Sequence, residues 1–218
     1  MKAVVFDVDY TIARPGPDLG PDGYRRLGAR HGLTLDPARY EEARRAALGD
    51  LKRHPELEHD DEVWVRFTQR IIDGMGGTGD TYPAACEMER AWVHAHHFEL
   101  YDDALPTLEA LHDRGIRLGL LSNTARDLEA FVAHHGLAVD AVLTSGMHGK
   151  TKPHETIFRR ILDLLEVPAV EALMVGDSLE DDIEGALAVG MRAILVDREA
   201  RYPGRESLPD LRAVVNLI

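Results

Sequence analysis

Two carboxylates two residues apart, Asp7 and Asp9, leave an apolar run together in Asp7-Val8-Asp9-Tyr10-Thr11. Carboxylates so placed can move a proton or hold a hard cation, and taken alone they read equally well as the solvated end of a strand. Ser122-Asn123 follows a second apolar run; its hydroxyl and backbone N–H groups can hold an anion, or Ser122 can cap the helix that follows. Lys152-Pro153 follows a third run, where a lysine either points back to the same edge or lies on the surface. The neighbouring Gly149-Lys150-Thr151 imitates the end of a phosphate-binding P-loop, but that motif requires Gly at position 144, where Thr144 stands, so the P-loop is rejected. A fourth run ends in Gly176-Asp177-Ser178-Leu179-Glu180-Asp181-Asp182. Ser178 and Asp181 have the spacing of a capping box, which leaves Asp177 and Asp182 for chemistry.

The elements behind these groups are short. Lys2–Phe6, Ile116–Leu121, Ala141–Leu143, Ala172–Val175 and Arg192–Val196 read as buried parallel strands. Between them lie segments of helical period, such as Ile157, Ile161, Leu162 and Leu165, and Gly115, Gly136 and Gly190 stand where a helix must stop before a strand. This alternation predicts a doubly wound, Rossmann-like α/β core with a parallel sheet, formed by residues 1–13 and 99–218. From Arg14 to Phe98 strand-like runs vanish and helical spacing takes over (Tyr40, Ala43, Ala47 and Leu51; Val63, Phe67 and Ile71), so residues 14–98 are expected to be an inserted module of roughly four helices. Pro15-Gly16-Pro17 marks its entry and Asp36-Pro37 a helix start. The candidate residues all follow strands of one sheet, whose carboxyl edge is where such folds bind ligands.

In order and wording these segments resemble the haloacid dehalogenase-like hydrolases, in the phosphoglycolate phosphatase-type branch with a helical cap. The resemblance runs through DVDYT at 7–11, LLSN at 120–123, KTKPHETIF at 150–158 and VGDSLEDDIEGA at 175–186. It implies an Mg²⁺-dependent phosphatase acting on a small phosphorylated metabolite, with residues 14–98 as the cap. Asp7 would be the nucleophile that forms an aspartyl-phosphate, Asp9 the general acid and base, and Ser122, Asn123 and Lys152 the groups that hold the phosphate. Asp7 and Asp177 would hold the metal through carboxylates, Asp9 through its backbone carbonyl, and Asp182 at one remove. Tyr10 departs from the pattern, because many members carry Gly there. Four carboxylates against Lys152 leave a net charge of −3, which repels a phosphate dianion unless a cation intervenes. A phosphomutase would use the same residues; a dehalogenase, whose halide leaves without a proton, would leave Asp9 and Asp177 idle; a non-catalytic phosphate-responsive binding protein is a further alternative.

Composition sets the remaining bounds. The 218 residues carry 25 Lys+Arg against 38 Asp+Glu, a formal net charge of −13, which argues against a nucleic-acid partner. No apolar run approaches the ~18 residues of a membrane span, Asp7 and Asp9 interrupt any N-terminal signal segment, and Cys86 is the single cysteine, so a cytoplasmic location and a monomer or homodimer are expected. His94, His96 and His97 read as a solvated helix face, and His59-Asp60 and His112-Asp113 are set aside because the all-helical HD-type folds they suggest have no parallel strands. Trp64, Phe67, Trp92 and Phe98 read as cap core, and Arg44, Arg45 and Lys52 as cap side chains able to meet a polar leaving group.

Overall fold

In the computed structural model residues 1–51 and 53–218 are described; Lys52 lies outside them. They form two compact units, Met1–Arg14 with Glu99–Ile218, and Pro15–Phe98. The strands in chain order are β1 (Ala3–Phe6), β2 (Ala13–Pro15), β3 (Phe98–Leu100), β4 (Arg117–Ser122), β5 (Ala141–Thr144), β6 (Ala172–Gly176) and β7 (Arg192–Leu195). The longer helices are α1 (Pro21–Arg30), α2 (Tyr40–Gly49), α3 (Asp61–Gly74) and α4 (Tyr82–Trp92) in the inserted unit. The first unit carries α5 (Ala104–His112), α6 (Leu128–His135), the single turn α7 (Ser145–His148), α8 (Glu155–Leu165) and the short α9 (Gly185–Ala188).

The first unit is built on a five-stranded sheet of order β5-β4-β1-β6-β7, parallel throughout. Each strand is four to six residues of mostly apolar sequence, and β1 is buried along its whole length because helices cover both faces of such a sheet. Helix α8 places Ile157, Phe158, Ile161, Leu162 and Leu165 on one stripe, which packs with Val5, Leu121, Leu143 and Met174 of the sheet. Gly115, Gly136 and Gly190 adopt φ of +73°, +65° and +87°, as their place before a strand requires. The doubly wound α/β core is therefore as the hydrophobic pattern predicts, with strand ends displaced by a residue.

The chain leaves β1 and goes one way to β4 and β5, then returns to the other side of β1 for β6 and β7. That reversal opens a crevice at the carboxyl ends of β1, β4 and β6, where ligands bind in open α/β sheets.

The inserted unit holds α1 to α4 and two single turns, Pro37–Arg39 and Ala95–His97. Asp36 caps the first of these, its carboxylate accepting from the Ala38 N–H at 3.0 Å. Helices α2 and α3 approach closely at Gly74, where an added Cβ would stand 2.6 Å from the Ala43 Cβ. Contrary to the expectation that strand-like runs vanish from Arg14 to Phe98, the crossings into and out of the insertion carry strand. β2 and β3, three residues each, pair as a two-stranded ribbon, flanked by hydrogen bonds from Tyr101 N–H to Ile12 O at 3.0 Å and from Gly16 N–H to His97 O at 2.7 Å. His94, His96 and His97 lie beyond the end of α4 rather than on a helix face, with ring centroids 4.3–5.7 Å apart. Arg44 lies 3.5 Å from the Glu41 carboxylate in α2.

Candidate active site

Each motif leaves a different strand at the same sheet edge. Asp7 follows β1, its N–H bonded to the Val175 carbonyl of β6 at 2.9 Å. Ser122 ends β4, and Lys152 follows β5 after the turn of α7, just before a cis peptide bond to Pro153. Asp177 follows β6, and Asp182 lies in the π-helical turn Leu179–Glu184. The extra residue in that turn, seen in the Ile183 N–H to Ser178 carbonyl bond of 3.2 Å, brings the Asp182 side chain in to Lys152.

Lys152 is the hub. It is 2% exposed, so it is no surface lysine, and its ammonium donates to Asp7 Oδ1 at 2.7 Å, Asp182 Oδ1 at 2.6 Å and the Leu121 carbonyl at 3.0 Å. Burial alone would lower the Lys152 pKa, but the carboxylates of Asp182 and Asp7 override it and hold the group well above its usual value, a permanent cation. The other Asp7 oxygen, Oδ2, accepts from the Thr11 hydroxyl at 3.1 Å, so both oxygens of this carboxylate are oriented. Burial pushes Asp7 well above the carboxylate range; Lys152 pulls it down, and Asp182 and Asp177 push it up again. Asp177 is pushed up to about 7, first by burial and then by Asp182, against the pull of Arg201.

Ser178 accepts from the Asp181 N–H at 3.2 Å, as the capping spacing predicts, but the reciprocal bond departs from that reading: the Ser178 N–H donates to Asp182 Oδ2 at 2.9 Å. Asp182 is thereby pinned at both oxygens. Ser122 caps no helix, because α6 is capped by Asp127, whose carboxylate accepts from the Ala130 N–H at 3.0 Å. Ser122 instead stays buried beside Leu121, whose carbonyl holds the Lys152 ammonium. The Asn123 side chain clamps the Lys152 backbone, accepting from its N–H at 2.7 Å and donating to its carbonyl at 3.1 Å. It therefore sets where Lys152 starts, and only its backbone N–H remains suited to the phosphate role assigned from sequence.

Two arginines escaped the sequence reading. Arg126 grips the Asp9 carboxylate with Nη1 to Oδ1 at 2.9 Å and Nη2 to Oδ2 at 3.2 Å. Arg201 donates through Nη2 to the Asp177 carbonyl at 2.7 Å and to its Oδ2 at 2.5 Å. Four carboxylates thus face three cations, and the net charge is −1 rather than the −3 expected from Lys152 alone. Arg126 sits inside a turn whose Ser-Asn start drew attention, but nothing in its spacing points at Asp9. Arg201 lies in a segment without periodicity.

A divalent cation fits this set on its own geometry. Asp7, Asp177 and Asp182 are buried and each brings a carboxylate oxygen within 4.8 Å of the others, and among the described residues they are the one cluster that does so. Hard oxygen donors at this density suit Mg²⁺, whose charge would offset the carboxylates that burial, first, and one another's charge, second, hold above the usual carboxylate range. The histidines near α4 form no such cluster among the described residues.

Residues 1–190 match the family model of the haloacid dehalogenase-like hydrolases. The chain is 35% identical to a phosphoserine phosphatase of Thermus thermophilus, over 97% of this chain and 95% of that protein. Among solved structures it resembles a haloacid dehalogenase-like phosphatase of Thermococcus onnurineus, at a TM-score of 0.68 and 29% identity, covering 100% of this chain and 97% of the other. It also resembles a 2-haloacid dehalogenase of Pseudomonas syringae, at a TM-score of 0.64 and 25% identity, with the same coverage. With this match over most of its length and four motifs gathered at one sheet edge, the chain belongs to the haloacid dehalogenase-like hydrolase family.

Proposed function

We propose that the protein is an Mg²⁺-dependent phosphatase that hydrolyses a small phosphorylated metabolite through an aspartyl-phosphate on Asp7. The observation that carries this reading is the buried trio Asp7, Asp177 and Asp182 joined to Lys152. Expelling a halide needs no such cation site, which sets the dehalogenase reading aside in spite of the structural likeness.

Asp7, Asp177 and the Asp9 carbonyl would hold Mg²⁺, with Asp182 adding charge beside them. When bound, the ion offsets the carboxylates and polarises the phosphoryl oxygens. The Asp7 carboxylate, held at one oxygen by Lys152 and at the other by Thr11, attacks phosphorus in line with the leaving oxygen. The P–O bond to the alcohol breaks as the Asp7–phosphorus bond forms, and Asp9 gives its proton to the departing alkoxide. Water then attacks the same phosphorus, Asp9 takes its proton, and inorganic phosphate leaves as Asp7 is regenerated. Lys152 and Ser122 stabilise the charge that gathers on the equatorial oxygens. Residues 15–98 act as the cap that selects the alcohol part of the substrate.

The test is a panel of phosphomonoesters, phosphoserine included, assayed with Mg²⁺ and with excess chelator. Turnover is expected only with the metal. Denaturing mass spectrometry during turnover should show a phosphorylated peptide containing Asp7, lost in Asp7→Asn together with at least ~10⁴-fold of the rate. Full turnover in chelator, or an active Asp7→Asn, overturns the reading.

A further inference from the structure

Asp9 and Arg126 stand 117 residues apart in the chain, and the fold joins them by two parallel hydrogen bonds of 2.9 and 3.2 Å. The Arg126 side chain is 1% exposed, against 22% for Asp9. Arginine is almost never fully buried unless paired, so a guanidinium at this depth is held by what it grips. Its backbone is set as well, with the Arg126 N–H donating to Thr124 Oγ1 at 3.1 Å, and the Phe131 ring lies 5.7 Å from the guanidinium carbon. The anchor is buried, and the group it holds stays partly exposed.

We propose that Arg126 is a positioning residue for Asp9, fixing by its two-pronged grip the direction in which the Asp9 carboxyl exchanges its proton; this rests on the phosphatase reading above. An aspartate turns about two torsions, and nothing in Asp7-Val8-Asp9 dictates where its carboxyl points. A guanidinium that meets both oxygens in one plane fixes the second torsion and leaves one lone-pair site on each oxygen for the proton. A proton donor misplaced by about 1 Å loses on the order of 10² in rate. Lysine carries the same charge but presents it at a point, so it cannot set the carboxyl plane.

The experiment compares kcat/KM, which reports steps up to phosphoenzyme formation, for an alkyl phosphate and for p-nitrophenyl phosphate, whose leaving group needs no proton. Arg126→Gln and Arg126→Lys are each expected to lose about 10- to 100-fold on the alkyl phosphate and less than about threefold on the aryl one. In an Asp9→Asn background Arg126→Gln should cost less than about threefold more, because the group it positions is gone. Mg²⁺ affinity by calorimetry should stay within about threefold. Equal losses on both substrates, losses that multiply with Asp9→Asn, or a parallel loss of Mg²⁺ affinity would show a general structural ion pair and overturn the proposal. Should Arg126→Gln fail to fold, Arg126→Lys keeps the buried charge paired and decides the matter by the same ratio. A wild-type protein that hydrolyses neither ester refutes the phosphatase reading itself, a result distinct from normal turnover with the wrong variant pattern.

Discussion

Asp177 shows how burial and charge translate into a measurable pH dependence. Its pKa is pushed up from about 3.8 to about 7 by burial and by Asp182. An acid whose folded value is raised takes up protons on folding, so its stabilising contribution is full below the unfolded value and is lost as pH rises through the folded one. The metal-free protein should therefore lose stability between about pH 4 and pH 7 through this group, and a cation that needs the carboxylate must displace that proton. Mg²⁺ is expected to raise the melting temperature more at pH 8 than at pH 5.5, with an apparent affinity that climbs by up to ~10-fold per pH unit below 7 and then levels off. Differential scanning calorimetry at fixed Mg²⁺ checks this. An increment equal at both pH values would mean that Asp177 does not lie in the metal's path.

At the scale of elements, the turn from β6 into the π-helical segment carries the tightest constraint. Asp182 is held at one oxygen by Lys152 and at the other by the Ser178 N–H, and it fills the space over Gly176. A Cβ added there would stand 2.3 Å from the Asp182 carboxyl carbon and Oδ2. A short side chain pinned at both ends cannot swing aside, so Gly176→Ala is expected to push Asp182 off Lys152 and leave a buried charge poorly paired. The cost should be about 1–3 kcal/mol, or several degrees in melting temperature, together with a fall in kcat. An unchanged melt and rate would show that the turn has slack that its hydrogen bonds do not suggest.

For the whole molecule, the question is what the inserted helices contribute. The five-stranded sheet, Lys152 and the site carboxylates all belong to the first unit, whose sheet and α8 share one apolar core. The chemistry is expected to survive without the insertion, and the choice of substrate to depend on it. Replacing residues 18–97 with a short linker should leave slow, Mg²⁺-dependent hydrolysis of p-nitrophenyl phosphate while the ranking of metabolites is lost. Retention of that ranking would place selectivity in the core loops instead, and a folded core with no turnover would show that the insertion takes part in the chemistry.

The five strands of the parallel sheet and the places of Asp7 and Asp177 were legible because they are local, whereas Lys152, beyond the α7 turn, and Asp182, inside the π-helical turn, stood out only through the order and wording of the motifs. Short β-branched runs mark buried strands, and a group that ends such a run is carried to the sheet edge whatever the rest of the chain does. The ribbon of β2 and β3 was not legible, since three residues are too few to display a period. Nor were the partners of the acids. Arg126 reaches Asp9 from 117 positions away, Arg201 meets Asp177 from a segment with no periodic pattern, and Asp103 collects Arg198 and the Leu211 N–H across 95 and 108 residues. A long cationic side chain pairs with whichever carboxylate the fold brings within reach, and that distance exists only in three dimensions. The order of motifs along the chain determined which residues are candidates for chemistry; the tertiary structure alone decided which charges balance them and how their oxygens are aimed.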